Sequence, residues 1–371
     1  MAKTKIAFFA RTIGGGGAQR AMVRYANGLA ELGYDVDLVV LEARGGFNAE
    51  VDPRVNIVPL KSSRLAFSIP SIASYLRQHR PDTIMSTEAA CNIVTILGRQ
   101  LSGVRTRVVV REGLFPSIAQ KEDPYASTRI AYRLSRFIYP LADAIVPIAS
   151  ELRDDLGTVA RLPRSRMTVI AVNPVVTPSL LAAADAKPVH PWFEDTSSPI
   201  VLGVGRLDRQ KDFGTLLKAF ARVRKTRPCR LLILGEGEQR AALEALIAEL
   251  GIGADVALPG FDSKPYAAMG HCSVFVLSSR YEGLPNALIE ALACGAPVVS
   301  TACPSGPRDV LNEGEFGRLV PVGDDDAMAK AIVEVLDDPP SKARQRSRGA
   351  AYSVENSVKA YLPVLGLDQP R

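Results

Sequence analysis

Histidine, tryptophan and cysteine are scarce in this chain of 371 residues, which holds three, one and five of them respectively. Cys91, Cys229, Cys272, Cys294 and Cys303 are odd in number, scattered, and never spaced as CxxC. That pattern indicates neither a zinc site nor a disulfide framework, and a reducing compartment fits it best. His79, His190 and His271 fall outside the loops that carry the other candidate residues, so a histidine base is not expected there. No stretch approaches the roughly 20 apolar residues of a membrane span. The opening "MAKTKIAFFARTIGGGG" has an apolar run only from Ile6 to Ala10, too short for a signal peptide and suited to a first β-strand. Low-complexity tracts, short repeats and nucleic-acid motifs are also missing, so no nucleic-acid partner is expected.

What is present is an ordinary globular composition, 47% hydrophobic and 23% charged, at a length that suggests two domains. The net charge of +6 is uneven. Residues 1–174 hold 23 Lys+Arg against 15 Asp+Glu, and residues 175–371 hold 22 against 24. A basic half of this kind points to phosphate, anionic lipid or nucleic acid, the last without any motif to support it.

Short β-branched runs alternate with helical patterns. Strands are expected at 5–10, 35–41, 56–60, 82–87, 107–112, 144–149 and 167–171. A second series falls at 199–207, 229–237, 255–260, 273–279, 296–301 and 317–323. The alternation implies two parallel, doubly wound sheets, an α/β fold of two Rossmann-like domains facing a cleft. The expected division is a first domain at 1–174, a proline-rich linker at 175–198, a second domain at 199–350 and a helical tail at 351–371. The tail should be helical up to Pro363 and pack back toward the first domain.

Ligands of such sheets bind beyond the C-terminal strand ends. Three loops there carry chemistry. In "IGGGGAQR" (13–20), Gly15, Gly16 and Gly17 allow close backbone approach at a helix N-terminus, suited to a phosphate or sugar. It is not a dinucleotide fingerprint, because Gln19 and Arg20 stand where glycine or alanine is needed. In "GRLDRQKD" (205–212), Arg206 and Lys211 follow the first strand of the second series, where cations can meet a diphosphate. In "EGLPNALIEALACG" (282–295), Glu282 precedes a helix expected from about Pro285 to Cys294, and Glu290 sits in its second turn. A carboxylate in so crowded a helix must pair with something. "DVD" (35–37) begins a strand and is not read as a metal site.

Taken together, "GGGGAQRAMVRYANGLAELGYDVDLVV", "GVGRLDRQKDFGTLLKAFA", "LLILGEGEQR", "SSRYEGLPNALIEALACGAPVVST" and "GRLVPVGD" resemble the GT4 family of retaining glycosyltransferases with the GT-B fold. The resemblance covers nearly the whole chain. It implies that Glu290 holds the ribose hydroxyls of a nucleotide sugar and that Glu282 faces the donor sugar. Arg206 and Lys211 would bind the diphosphate and stabilise it as it leaves, without a metal or other cofactor. Gly283, Leu284 and Asn286 complete the donor side, with Glu236, Gly237 and Phe261 near the base. The leaving phosphate oxygen would take the acceptor proton. Many relatives carry a histidine after the strand matching 107–112. Here Arg111 and Glu112 occupy that edge, as the acceptor side.

"NPV" (173–175) and "SGPRDVL" (305–311) resemble the branch that builds capsule, O-antigen and exopolysaccharide chains from UDP-sugars on polyprenyl-diphosphate carriers. A cytoplasmic enzyme touching anionic membrane from inside is therefore expected. A nucleotide-sugar 2-epimerase of the same fold and a non-catalytic nucleotide-sugar-binding partner are the competing readings. Finally, "STRIAYRLSRFIYPLA" (127–142) sets Arg129, Arg133 and Arg136 along one helical face. The expectation is that its apolar residues cover the sheet and its arginines meet lipid.

Overall fold

The computed structural model describes residues 3–367 apart from 15, 44, 61, 63, 64, 123, 124 and 196. The chain divides into two units, Met1–Pro174 with Val354–Arg371, and Val175–Ser353.

In the first unit, six strands form one sheet: β1 (Lys5–Thr12), β2 (Asp35–Glu42), β3 (Asn56–Pro59), β4 (Thr83–Thr87), β5 (Arg107–Glu112) and β6 (Ala144–Pro147). All neighbours are parallel, in the order β3-β2-β1-β4-β5-β6. Strand β1 shows why its sequence reads as an unbroken apolar run. Ala7 and Phe9 enter the core on one face of the sheet, and Ile6, Phe8 and Ala10 enter the core on the other. With helices on both faces, no position from Ile6 to Ala10 meets water.

The second unit repeats the plan with β7 (Ile200–Val204), β8 (Arg230–Leu234), β9 (Val256–Gly260), β10 (Val274–Leu277), β11 (Val298–Thr301) and β12 (Arg318–Val320). Their order is β12-β11-β10-β7-β8-β9, again parallel. Both sheets therefore reverse direction between their first and fourth strands. That switch point leaves a crevice beyond the C-terminal ends of β1 and β4, and of β7 and β10.

Four expectations need correction. Residues 167–171 do not form a seventh strand: Met167 bridges Ile145, and the Thr168 and Ile170 N–H groups donate to the Ile145 and Pro147 carbonyls at 3.0 and 3.1 Å, but no continuous ladder follows. Residues 175–198 are not a free linker. Pro178 sits in the first turn of the helix Pro178–Ala184, whose Leu180 N–H donates to the Thr177 Oγ1 cap at 3.2 Å. This helix packs so closely that a Cβ on Gly270 would lie 2.2 Å from the Ala184 carbonyl oxygen. The tail helix Val354–Leu365 does not stop at Pro363. Its end is held instead by a Gly366 turn at φ 74° in which the Leu367 N–H donates to the Leu362 carbonyl at 2.9 Å. Arg107 Nε also donates to the Val364 carbonyl at 2.8 Å. Finally, Pro285 is the N-cap of the helix Asn286–Cys294 rather than its first residue, while Gly295 ends it at φ 91°.

The tail helix lies on Gly17–Glu31 within the first unit. A Cβ on Gly28 would meet Val358 Cγ2 at 2.7 Å, and the Tyr25 and Tyr361 rings are 4.6 Å apart.

Candidate active site

The loop after β7 begins with Gly205, and it can run where it does only because of glycines on its neighbour. A Cβ on Gly235, just after β8, would lie 1.8 Å from the Gly205 carbonyl oxygen. A Cβ on Gly237 would lie 2.4 Å from the Leu207 carbonyl oxygen. The Leu207 N–H donates to the Glu236 carbonyl at 2.9 Å, closing the two loops together. Gly237 therefore serves loop-to-loop contact, which its place in the sequence did not reveal.

Residues 208–212 then fold back onto the loop after β10. The Ser278 hydroxyl donates to the Lys211 carbonyl at 2.7 Å, and the Arg280 N–H donates to the Gln210 carbonyl at 2.8 Å. Gln210 Nε2 returns a bond to the Tyr281 carbonyl at 3.0 Å. These bonds bring Lys211 and Glu282 together, 71 residues apart in the chain: Lys211 Nζ donates to Glu282 Oε1 at 2.6 Å. The Ser279 hydroxyl donates to the same oxygen at 2.6 Å. The side chains of Lys211 and Glu282 are only 16% and 7% exposed, so this is a nearly dry ion pair at the switch point.

The turn that presents Glu282 is braced from below. The Thr301 hydroxyl donates to the Ser279 carbonyl at 2.6 Å, and the Ser305 hydroxyl donates to the Gly283 carbonyl at 3.1 Å. Ser305 and Gly306 both adopt positive φ, 65° and 73°. A Cβ on Gly306 would meet the Gly283 carbonyl oxygen at 2.4 Å, so the two loops interlock through glycine again. Leu284 is buried and anchors the turn. Asn286 opens the following helix, where buried Leu288, Ile289, Ala291 and Leu292 flank a half-buried Glu290.

Arg206 is 73% exposed at the edge of this pair, with its guanidinium 3.1 Å from Asp208 and 3.2 Å from Gln210 Oε1. Phe261, just beyond β9, is 76% exposed. Glu236 is exposed too, but Arg240 grips its carboxylate at 2.7 and 2.9 Å and holds its pKa below the ordinary range.

In the first unit Gly15 lies outside the described residues. Gly16 is the extended N-cap of Gly17–Glu31. Gly14 packs against a second glycine turn, where a Cβ would lie 2.7 Å from the Gly46 nitrogen. Gln19 Nε2 donates to Glu88 at 2.6 Å, across the loops after β1 and β4.

The acceptor-side expectation is corrected here. Glu112 is fully buried and faces inward. Asn92 Nδ2 donates to it at 2.7 Å, Tyr132 at 2.8 Å, and Tyr139 donates as well. Burial pushes its pKa up, and these donors with Arg111 pull partly against the rise. Arg111 is 1% exposed and donates to Thr87 and Asn173. As neighbours on β5, Arg111 and Glu112 turn to opposite faces of the sheet, and both are buried, so neither side chain is presented to a solute. The residues that sequence reasoning missed are Ser279, Gln210, Thr301, Ser305 and Gly306. The only local hint of them was the density of Ser and Gly beside the Glu-x7-Glu segment.

Comparison with known proteins bears on the family and the fold. The model for glycosyl transferases group 1 matches residues 189–353, and that for the glycosyl transferase 4-like domain matches residues 16–173. A Campylobacter jejuni N-acetylgalactosamine-N,N'-diacetylbacillosaminyl-diphospho-undecaprenol 4-alpha-N-acetylgalactosaminyltransferase is 30% identical over 346 residues, covering 90% of each chain. The lipopolysaccharide core biosynthesis glycosyltransferase LpsE of Rhizobium meliloti is 29% identical over 94% of this chain and 96% of its own. Among solved structures, Anabaena HepE in complex with UDP and glucose superposes with a TM-score of 0.76 at 18% identity, over 98% of this chain and 99% of its own. The chain therefore belongs to the group 1 glycosyltransferases, and its two Rossmann-like units are those of the GT-B fold.

Proposed function

We propose that the chain moves a hexose or N-acetylhexosamine from a UDP-sugar to a glycan or polyprenyl-diphosphate-linked acceptor, with retention at the anomeric carbon, in cell-surface polysaccharide biosynthesis. The observation that carries the reading is the dry Lys211–Glu282 pair at the β7/β10 switch point, with exposed Arg206 at its edge. The relatives' names, one acting on an undecaprenol-linked sugar and one in lipopolysaccharide core biosynthesis, support the acceptor class. HepE's UDP complex supports the donor class.

In this reading the donor diphosphate meets Arg206 and Lys211, and the ribose diol meets Glu290, whose carboxylate can accept two hydroxyl hydrogen bonds. Gly283, Leu284 and Asn286 line the sugar and β-phosphate side. The bond from the anomeric carbon to the diphosphate oxygen breaks, and the acceptor oxygen bonds to that carbon from the same face. The acceptor proton passes to the departing phosphate oxygen. Arg206 and Lys211 stabilise the charge that gathers there, an effect of about 3–4 kcal/mol per well-placed donor in comparable sites. They fill the role a divalent metal plays elsewhere. A lipid-borne acceptor puts the reaction at the cytoplasmic face of a membrane, where the basic first unit meets anionic lipid.

Incubation with a panel of UDP-sugars and a polyprenyl-diphosphate-linked glycan tests the proposal. The expected outcome is free UDP in step with a new α- or β-glycoside matching the donor's configuration by NMR. An epimerised donor without acceptor consumption, or UDP affinity without transfer, would overturn it.

A further inference from the structure

The helix Ala126–Ile138 keeps Arg133 and Arg136 outward as expected, but most of its apolar stripe does not cover the sheet. Its buried side is Ala131, Tyr132 and Ser135, continued by Tyr139 in the next turn. Ile138 packs against the core, but four other long apolar side chains point outward: Ile130 is 52% exposed, Leu134 39%, Phe137 62% and Leu141 43%. Positions 130, 134, 137 and 141 recur at the spacing of one stripe along a helix. Arg129, Arg133 and Arg136 occupy the adjoining stripe, and residues 126–141 contain no acidic residue. The Arg136 guanidinium lies 4.3 Å over the Phe137 ring, so cation and aromatic sit at the same level. An exposed apolar row of this length is unusual on a water-facing helix and marks a surface that is covered in use.

The charge beside it identifies the cover. A second copy of this chain would set the same arginine row against itself. An anionic lipid surface offers phosphates to the arginines and acyl chains to the apolar row, in the two adjoining layers this helix displays. We propose that Ala126–Ile138, with Leu141 beyond it, is a membrane-docking helix. Ile130, Leu134, Phe137 and Leu141 enter the boundary between headgroups and acyl chains, while Arg129, Arg133 and Arg136 bind lipid phosphates. This rests on the membrane placement proposed above and adds the face responsible and an apolar, salt-resistant component. The inner side of the same helix is tied to the sheet, because Tyr132 and Tyr139 both hold Glu112 at the end of β5. Docking therefore orients the C-terminal strand edge of the first unit directly, without a flexible joint.

The full chain is sedimented with phosphatidylcholine vesicles and with vesicles containing phosphatidylglycerol, at low and high salt. Binding is expected only to the anionic vesicles, with a fraction surviving high salt. Arg129→Ser/Arg133→Ser/Arg136→Ser should lower low-salt partitioning roughly a hundredfold, about fivefold per arginine. Ile130→Ser/Leu134→Ser/Phe137→Ser should remove the salt-resistant fraction, with an unchanged melting temperature because these side chains are exposed. In Trp192→Phe/Phe137→Trp protein the single indole reports on this helix. Its emission should shift to the blue on anionic vesicles and be quenched by brominated acyl chains. If the wild type ignores anionic vesicles, both the membrane placement and the docking face fall. If it binds while neither triple variant nor the indole responds, the placement stands and this face is refuted. A vesicle-free dimer that the apolar variant dissolves would assign the stripe to a second copy and also overturn the proposal.

Discussion

Lys211 and Glu282 hold each other in a site where neither is well hydrated, so removing one strands the other. Lys211→Met should cost about 3–5 kcal/mol in a urea titration, the range for a buried pair broken on one side. Lys211→Met/Glu282→Gln should recover most of that loss while transfer stays abolished. If the double variant regains turnover, the pair is structural only. Glu112 poses a different residue-scale test. Its folded pKa is raised above the ordinary 4.5, chiefly by burial. The folded state thus keeps its proton longer than the unfolded state, and stability falls as pH rises from that ordinary value through the raised one. Urea midpoints between pH 4 and 8 should show this decline in the wild type and a flatter profile in Glu112→Gln. An identical profile in the two proteins would show that Glu112 titrates normally. The sequence marked Glu282, Glu290, Arg206 and Lys211 through their spacing and their places after strands. It could not mark Glu112 as buried, because Arg111–Glu112 at a strand end looks the same whether the chain beyond it is open or covered by a helix.

At the scale of elements, the loops after β7, β8, β10 and β11 form one interlocked edge, held by backbone contacts that tolerate no side chain. Gly235→Ala would push a Cβ against the Gly205 carbonyl oxygen, 1.8 Å away. The expected cost is about 3 kcal/mol, the upper part of the usual overpacking range. UDP affinity should fall in the same variant, since the loop carrying Arg206 must move. Calorimetry and urea unfolding measure both, and a variant that loses stability but keeps affinity would uncouple this edge from the donor. The helix Ala126–Ile138 teaches the complementary lesson. Its sequence is apolar on more than one side, and periodicity alone assigned the larger apolar stripe to the sheet, which the structure overturns. The face that carries Ala131 and Ser135 also turns the Tyr132 hydroxyl inward to Glu112, and that requirement comes from β5, outside the helix.

For the whole molecule, each unit has its own sheet and its own cores, so a ligand held by one unit should stabilise that unit first. UDP at 100 times its dissociation constant should add about 2.7 kcal/mol to the unfolding of the unit that holds it. Limited proteolysis should localise the protection to residues 175–353, and EDTA should change neither the protection nor the transfer rate. Protection confined to the first unit would displace the donor site, and a chelator-sensitive rate would refute the metal-independent mechanism. The alternation of strands and helices, the parallel doubly wound class and the candidate loops were legible in the residues alone. Those depend on local hydrophobic period, turn residues and position along the chain. The strand order that places the switch point, the glycine contacts between distant loops, the Lys211–Glu282 pair, the burial of Glu112 and the outward face of Ala126–Ile138 become visible in the folded chain alone. Each of these depends on which surfaces meet across tens of residues, and a local pattern compatible with several partners cannot choose among them.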